Sequence, residues 1–149
     1  MWRRILLAVF IFTASTVQAA DQNRQLLMAA SKGLEAMVSD LLAQGADANA
    51  KNANGRPVLV IAAFNGNVRT LRALVGAGAD VNAVDAAGNS ALMEAAAFGH
   101  LEAVSALISA GADVNLKNTA GTDAMKRAEI GKHAAVIKLL QESGSGSEE

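Results

Sequence analysis

Residues 88–115 read GNSALMEAAAFGHLEAVSALISAGADVN. Gly99 divides this stretch into two helical segments, Ser90–Phe98 and Leu101–Ser109, rich in alanine, which loses no side-chain entropy in a helix. Ser90 stands where a hydroxyl caps the first segment, and Gly111 stands just past the second, where a left-handed residue is favoured. The same grammar recurs at a fixed step of 33 residues. Gly-Ala-Asp appears at Gly45-Ala46-Asp47, Gly78-Ala79-Asp80 and Gly111-Ala112-Asp113, followed by Asn49, Asn82 and Asn115. Gly55, Gly88 and Gly121 keep the period, as do Ala29-Ala30, Ala62-Ala63 and Ala95-Ala96, and Leu41, Leu74, Leu107 and Leu140. Self-similarity at one period marks a stack of units, none of which buries its apolar face alone.

In the preceding unit the helices are expected over Pro57–Asn65 and Val68–Val75, with Pro57 in the first turn, where a missing N–H costs nothing. Gly66 and Gly99 separate first helices from second. The alanine pairs let helices approach closely, while Leu71, Leu74, Val104 and Leu107 fill the space between layers. The Asp-x-Asn segments turn outward, their short side chains bonding local backbone.

The stretch from Gly88 to Asn115 resembles an ankyrin repeat, and the resemblance covers about residues 21–141. It implies an all-α solenoid of helix-turn-helix units joined by short hairpin loops: about four units, spanning 21–49, 50–82, 83–115 and 116–142, the first and last degenerate. The family's Thr-Pro-Leu-His becomes Pro57-Val58-Leu59-Val60, Ser90-Ala91-Leu92-Met93 and Asp123-Ala124-Met125-Lys126. Its Thr–His staple between repeats is thus weakened or missing, and a less rigid stack is expected. Lys126, Arg127, Glu129, Lys132 and Lys138 place charge where inner units have Met93, Glu94, Ala96, Gly99 and Ser105, as a solvent-facing cap requires. Arg24, Gln25 and Lys32 do the same at the start. Residues 143–149 (SGSGSEE) read as a flexible tail.

The N-terminus has a separate character. Arg3 and Arg4 precede the apolar run Ile5–Phe12, and Val17 and Ala19 occupy −3 and −1 of a small-residue cleavage site. Residues 1–19 therefore read as a secretory signal peptide and 20–142 as the repeat domain. Eight apolar residues fall short of the ~20 that a spanning helix requires, so no stable membrane anchor is expected after cleavage. Arg3-Arg4 with Leu6-Leu7 also suits a twin-arginine signal, but no Ser or Thr precedes the pair and the general route fits better. The short n-region is of the Gram-negative kind and places the product in the periplasm. Cleavage removes the only Trp and two of the four Phe residues, leaving Phe64, Phe98 and no Tyr, with a charge of −3 from 11 basic and 14 acidic residues.

Composition narrows the chemistry. In 149 residues 52% are apolar and 3% aromatic, which excludes a disordered chain, and the near-neutral charge offers nothing to nucleic acid. With no cysteine there is no disulfide, thiolate metal site or thiol nucleophile. His100 and His133 are in register, but a metal site wants a third protein ligand, so they read as supports of the turn at each second helix's start. Asp47-x-Asn49 and Asp80-x-Asn82 fail as calcium loops because Lys51 and Val84 fill the fifth position. Ser90 lacks the strand and following Gly of a nucleophile elbow, and Gly76-Ala77-Gly78 lacks the context of a phosphate cradle. Glu94 and Arg127, in equivalent places, are expected to form a modest surface pair. No enzyme, cofactor or metal site is expected.

The resemblance implies binding of protein partners through hairpin tips and the concave face of the first helices. Carried over position by position, the candidates are Lys51, Asn54, Arg56, Phe64 and Asn65 in the second unit, and Val84, Ala87, Asn89 and Phe98 in the third. Lys117, Thr119, Thr122 and Ile130 follow in the fourth. Phe64 and Phe98 are the aromatic anchors of this set, unless each ring packs against the neighbouring unit. Val60 and Ile61 either extend the patch or belong to the core. Likeness to exported bacterial ankyrin proteins linked to catalases implies a monomeric adaptor or protective scaffold for an oxidative-stress enzyme. The alternative is an inhibitor or immunity protein that covers the active site of a periplasm-acting toxin.

Overall fold

The computed structural model describes the backbone of residues 2–144 and the side chains of residues 15–144. Eight helices are present among the described residues: α1 (Trp2–Lys32), α2 (Glu35–Ala43), α3 (Val58–Phe64), α4 (Val68–Gly76), α5 (Ala91–Ala97), α6 (Leu101–Ser109), α7 (Ala124–Ile130) and α8 (Ala134–Gly144). Each odd-numbered helix packs on the even-numbered helix that follows it. Along the stack α1, α3, α5 and α7 form one row and α2, α4, α6 and α8 a second. The architecture is the all-α repeat solenoid that the 33-residue period requires.

Between units the chain makes hairpins closed by isolated antiparallel bridges, Lys51 to Pro57 and Val84 to Ser90. One side chain builds each hairpin. Asn52 Oδ1 accepts the Asn54 and Arg56 amides, Asp85 Oδ1 those of Ala87 and Asn89, and Asn118 Oδ1 those of Ala120 and Thr122. The helices then start on distinct caps. Ser90 Oγ accepts from Met93 N–H as expected, and Asp123 does the same for Lys126 N–H. Pro57 is the cap residue itself (φ −61°, ψ 145°), one place earlier than the sequence suggested, because its preceding hairpin holds it extended.

Leu71, Leu74, Val104 and Leu107 are fully buried between the rows, each worth about 1.5–3 kcal/mol on removal from water. Ala29, Ala30, Ala62, Ala63, Ala95 and Ala96 are also fully buried, and so is Val60, which belongs to the core. Ile61 is half-buried at its edge.

Both ends differ from the inner units. α1 runs as one helix through the Ala19–Ala20 bond, with residues 15–20 exposed; among its described side chains the first that is fully buried is Leu26. The apolar run Ile5–Phe12 lies outside the residues whose side chains are described. Among the described residues no helix is long and apolar enough to cross a membrane. At the other end α8 includes Ser143 and Gly144, and the remaining tail, 145–149, lies outside the described residues.

First helices end in one motif. Gly66 N–H donates to Ala63 O and Asn67 N–H to Ala62 O; Gly99 and His100 repeat this on Ala96 and Ala95. The glycines take φ +68° and +70°. In the last unit the same two bonds run from Lys132 and His133, and Lys132 must adopt φ +58°. A side chain there costs roughly 1–2 kcal/mol. Lys132→Gly is expected to raise unfolding stability by about 0.5–1 kcal/mol, the strain relieved less the added freedom of the unfolded chain. Gly99→Ala is expected to lower it by more than 1 kcal/mol, roughly the left-handed penalty, since a Cβ there would also sit 2.5 Å from His133 Nδ1. Urea titration followed by circular dichroism measures both.

Candidate functional site

Units are fastened by side chains reaching into their neighbours. The Asp80 and Asp113 amides donate to Asn49 and Asn82 Oδ1 of the preceding unit at 2.7 and 2.8 Å, and the Asp47 amide donates to Asn23 Oδ1 within the first unit at 2.8 Å. Within each loop Asp47, Asp80 and Asp113 accept the amide two residues on. The aspartates thus bond locally, as expected, whereas Asn49 and Asn82 bond the next unit. A second ladder runs in the other direction. Asn67 Nδ2 donates to Ala30 O, and His100 and His133 donate through Nε2 to Phe64 O (3.0 Å) and Ala97 O (2.9 Å). These histidines support more than their own turn: they satisfy last-turn carbonyls that a helix cannot bond internally. Among the described residues no group of three metal-binding side chains is found.

The hairpins and the first-helix row form the other surface. Phe64 and Phe98, 38% and 50% exposed, meet edge to face with centroids 4.7 Å apart. Such pairs contribute about 0.5–1.5 kcal/mol beyond their buried area. The Arg56 guanidinium lies over the Phe64 ring at 4.9 Å, and His100 lies alongside Phe98 at 6.3 Å. Ile130, 69% exposed, takes in the last unit the place that Phe64 takes in the second. The rings therefore do both things the sequence allowed: each packs against the neighbouring unit's ring and each keeps a free face.

Beneath them is a buried charge. The Glu94 side chain is 4% exposed and lies between Arg56 Nη2 (3.0 Å) and Arg127 Nη2 (3.1 Å), from the units on either side. The expected surface pair of Glu94 with Arg127 is instead a buried bridge across three units. Arg127 Nη1 also donates to Asn89 Oδ1, which accepts from Asn118 Nδ2 as well, both at 2.9 Å.

Of the candidate residues, Lys51, Asn54, Phe64, Asn65, Ala87, Phe98, Lys117, Thr119 and Ile130 are exposed, and Arg56, Val84, Asn89 and Thr122 are half-buried. Arg56 and Asn89 are engaged in the network around Glu94. Asn65 Nδ2 donates to Ser31 O and Ile61 O, and Thr119 donates through N and Oγ1 to Ala87 O, tying two hairpin tips together. The exposed apolar members, Phe64, Phe98 and Ile130, are the ones left without a polar role inside the stack.

A family model of ankyrin repeats, in three copies, matches residues 26–118. The chain belongs to the ankyrin-repeat family. The fourth unit lies mostly beyond the match, where Lys126, Arg127 and Lys132 depart from the inner pattern. No curated protein matches the chain. Ankyrin repeats are generally protein–protein interaction modules and typically non-enzymatic, which suits a first-helix face carrying rings rather than a catalytic cluster.

The account of Glu94 is open to measurement. Glu94→Ala leaves two guanidinium groups facing each other and is expected to cost about 3 kcal/mol in urea unfolding. Glu129→Ala breaks an exposed pair with Lys126 (3.4 Å) and is expected to change stability by less than about 0.5 kcal/mol.

Proposed function

We propose that this ankyrin stack is an exported, non-enzymatic adaptor or protective scaffold that docks one partner protein on its hairpin tips and first-helix face. The observation that carries this reading is the adjoining exposed rings Phe64 and Phe98, continued by Ile130 along the same row. Aromatic anchors ringed by polar groups are the usual centres of protein interfaces, and here Arg56 and Asn65 flank them. Family membership supports binding as the task. The leader-like residues 1–19 support export to the periplasm.

Phe98→Ala removes half of the ring pair from a half-exposed position and is expected to cost only about 1 kcal/mol of stability. Affinity capture from a periplasmic extract, with the chain from Ala20 as bait, is expected to retain one stoichiometric partner that the Phe98→Ala bait loses. A partner still active when bound fits an adaptor, and one silenced fits an inhibitor. Partners indifferent to the substitution would move the site off this face.

A further inference from the structure

Asparagine stands directly before glycine twice in the chain, at Asn54-Gly55 and at Asn65-Gly66. Glycine has no side chain to shield its main-chain nitrogen, so an asparagine carboxamide in this pair is open to attack from the backbone that follows it. The fold sets the two pairs apart. Asn54 is the exposed third residue of the hairpin turn 52–55, and no hydrogen bond to its carboxamide is seen among the described residues. Gly55 takes φ +74°, and a Cβ there would meet nothing within 4 Å. The turn rests on one residue: Asn52 O accepts Gly55 N–H at 2.9 Å, and Asn52 Oδ1 accepts the Asn54 and Arg56 amides. Thr119 ties the fourth hairpin to Ala87 O of the third, but no such bond joins Asn54 to the third hairpin among the described residues.

Asn65-Gly66 is closed by comparison. Asn65 Nδ2 donates to Ser31 O in the unit before and to Ile61 O in its own helix. Gly66 N–H donates to Ala63 O and Asn67 N–H to Ala62 O, and both alanines are fully buried. The His100 ring from the unit after covers Gly66, where a Cβ would lie 2.7 Å from Nδ1. Freeing this pair undoes the end of α3 and its contacts with two units. Freeing Asn54 opens a single turn, and the cost of local opening sets how often a group becomes reactive.

We propose that Asn54 is a site of spontaneous deamidation, and that the fold protects Asn65 although it has the same neighbour. Solvent base takes the Gly55 amide proton, and the nitrogen attacks Asn54 Cγ. The Cγ–Nδ2 bond breaks, Nδ2 leaves as ammonia with a proton returned from water, and a five-membered succinimide remains. Water then opens the ring at either C–N bond. Rupture at Cγ gives aspartate, and rupture at the main-chain carbonyl gives isoaspartate. One water is consumed and one ammonia released, with no change of oxidation state. Either product places a carboxylate, ionised at neutral pH, on the hairpin tip. The isoaspartyl product also routes the backbone through Cβ, adding one atom between the two amides that Asn52 Oδ1 holds. Arg56 then loses the register that aims it at Glu94.

The test incubates the chain from Ala20 at mildly alkaline pH, folded and in urea, and follows peptides covering residues 52–69 by mass spectrometry, with fragment ions assigning each site. In the folded chain Asn54 is expected to convert at least about tenfold faster than Asn65, and urea is expected to bring the two rates together by releasing Asn65. Isoaspartate is counted with an isoaspartate-specific methyltransferase. Asn54→Ala, which gives this turn the residue found at Ala87 and Ala120 in the later hairpins, is expected to abolish most of that signal. Equal rates at the two sites in the folded chain, a faster Asn65, or an Asn54 that reacts only in urea would overturn the proposal. So would an isoaspartate signal that persists in Asn54→Ala.

Discussion

The stack depends on polar side chains that complete the backbone of the neighbouring unit. A seven-residue helix such as α3 or α5 leaves most of its terminal carbonyls without internal partners, and so short a helix is not stable alone in water. His100 and His133 supply donors to the last-turn carbonyls of the helices before them, and Asn49 and Asn82 supply acceptors to the loops after them. Each unit therefore has satisfied ends only when its neighbours are in place. The glycines at 66 and 99 belong to the same constraint, since the imidazole rings lie where a Cβ would otherwise be. Burial of Leu71, Leu74 and Leu107 provides the driving force, and these bonds set the spacing at which burial occurs.

That division of labour frees one surface. With backbone ends closed by Asn and His, and the space between rows filled by leucine and alanine, the outward positions of the first-helix row have little structural duty beyond the contact of one ring with the other. They carry Phe64, Phe98 and Ile130, residues that a merely solvated face would replace with polar ones. The Glu94 bridge links the two regions. Its arginines come from the hairpin before α3 and from α7, so one carboxylate holds the hairpin edge and the first-helix row in fixed relation beneath the rings. A buried bridge of this kind is weak evidence for stability, because desolvation offsets most of its attraction. Its effect here is to fix geometry beneath an apolar surface.

The period, the two rows and the bounds of α3–α6 to within one residue were legible in the sequence because glycine placement and leucine spacing are local signals, repeated often enough to reinforce one another. Ser90 as a cap and Gly111 as a left-handed terminator (φ +90°) follow from their own positions. The Glu94 bridge was only half legible: Arg127 stands one period away, but Arg56 reaches Glu94 across 38 residues from a hairpin, a separation no periodicity marks. The asparagines at 49 and 82 were misread for a related reason. Their own loops explain them adequately, and only the geometry of stacking brings the next aspartate amide within 2.7–2.8 Å. The two rings likewise lie one place out of register with each other, so their meeting at 4.7 Å depends on the hand and spacing of the stack rather than on the repeat.

Mutual dependence of the units is most directly tested by amide hydrogen exchange on the chain from Ala20, compared with Asn82→Ala. That substitution removes an exposed side chain that holds no core, and only the acceptor for Asp113 N–H between the second and third units. If neighbouring units complete one another, protection falls throughout α5–α8 together. If the loss is confined to the Asp113 amide and its loop, the units are independently stable and the inter-unit ladder is not what holds the stack.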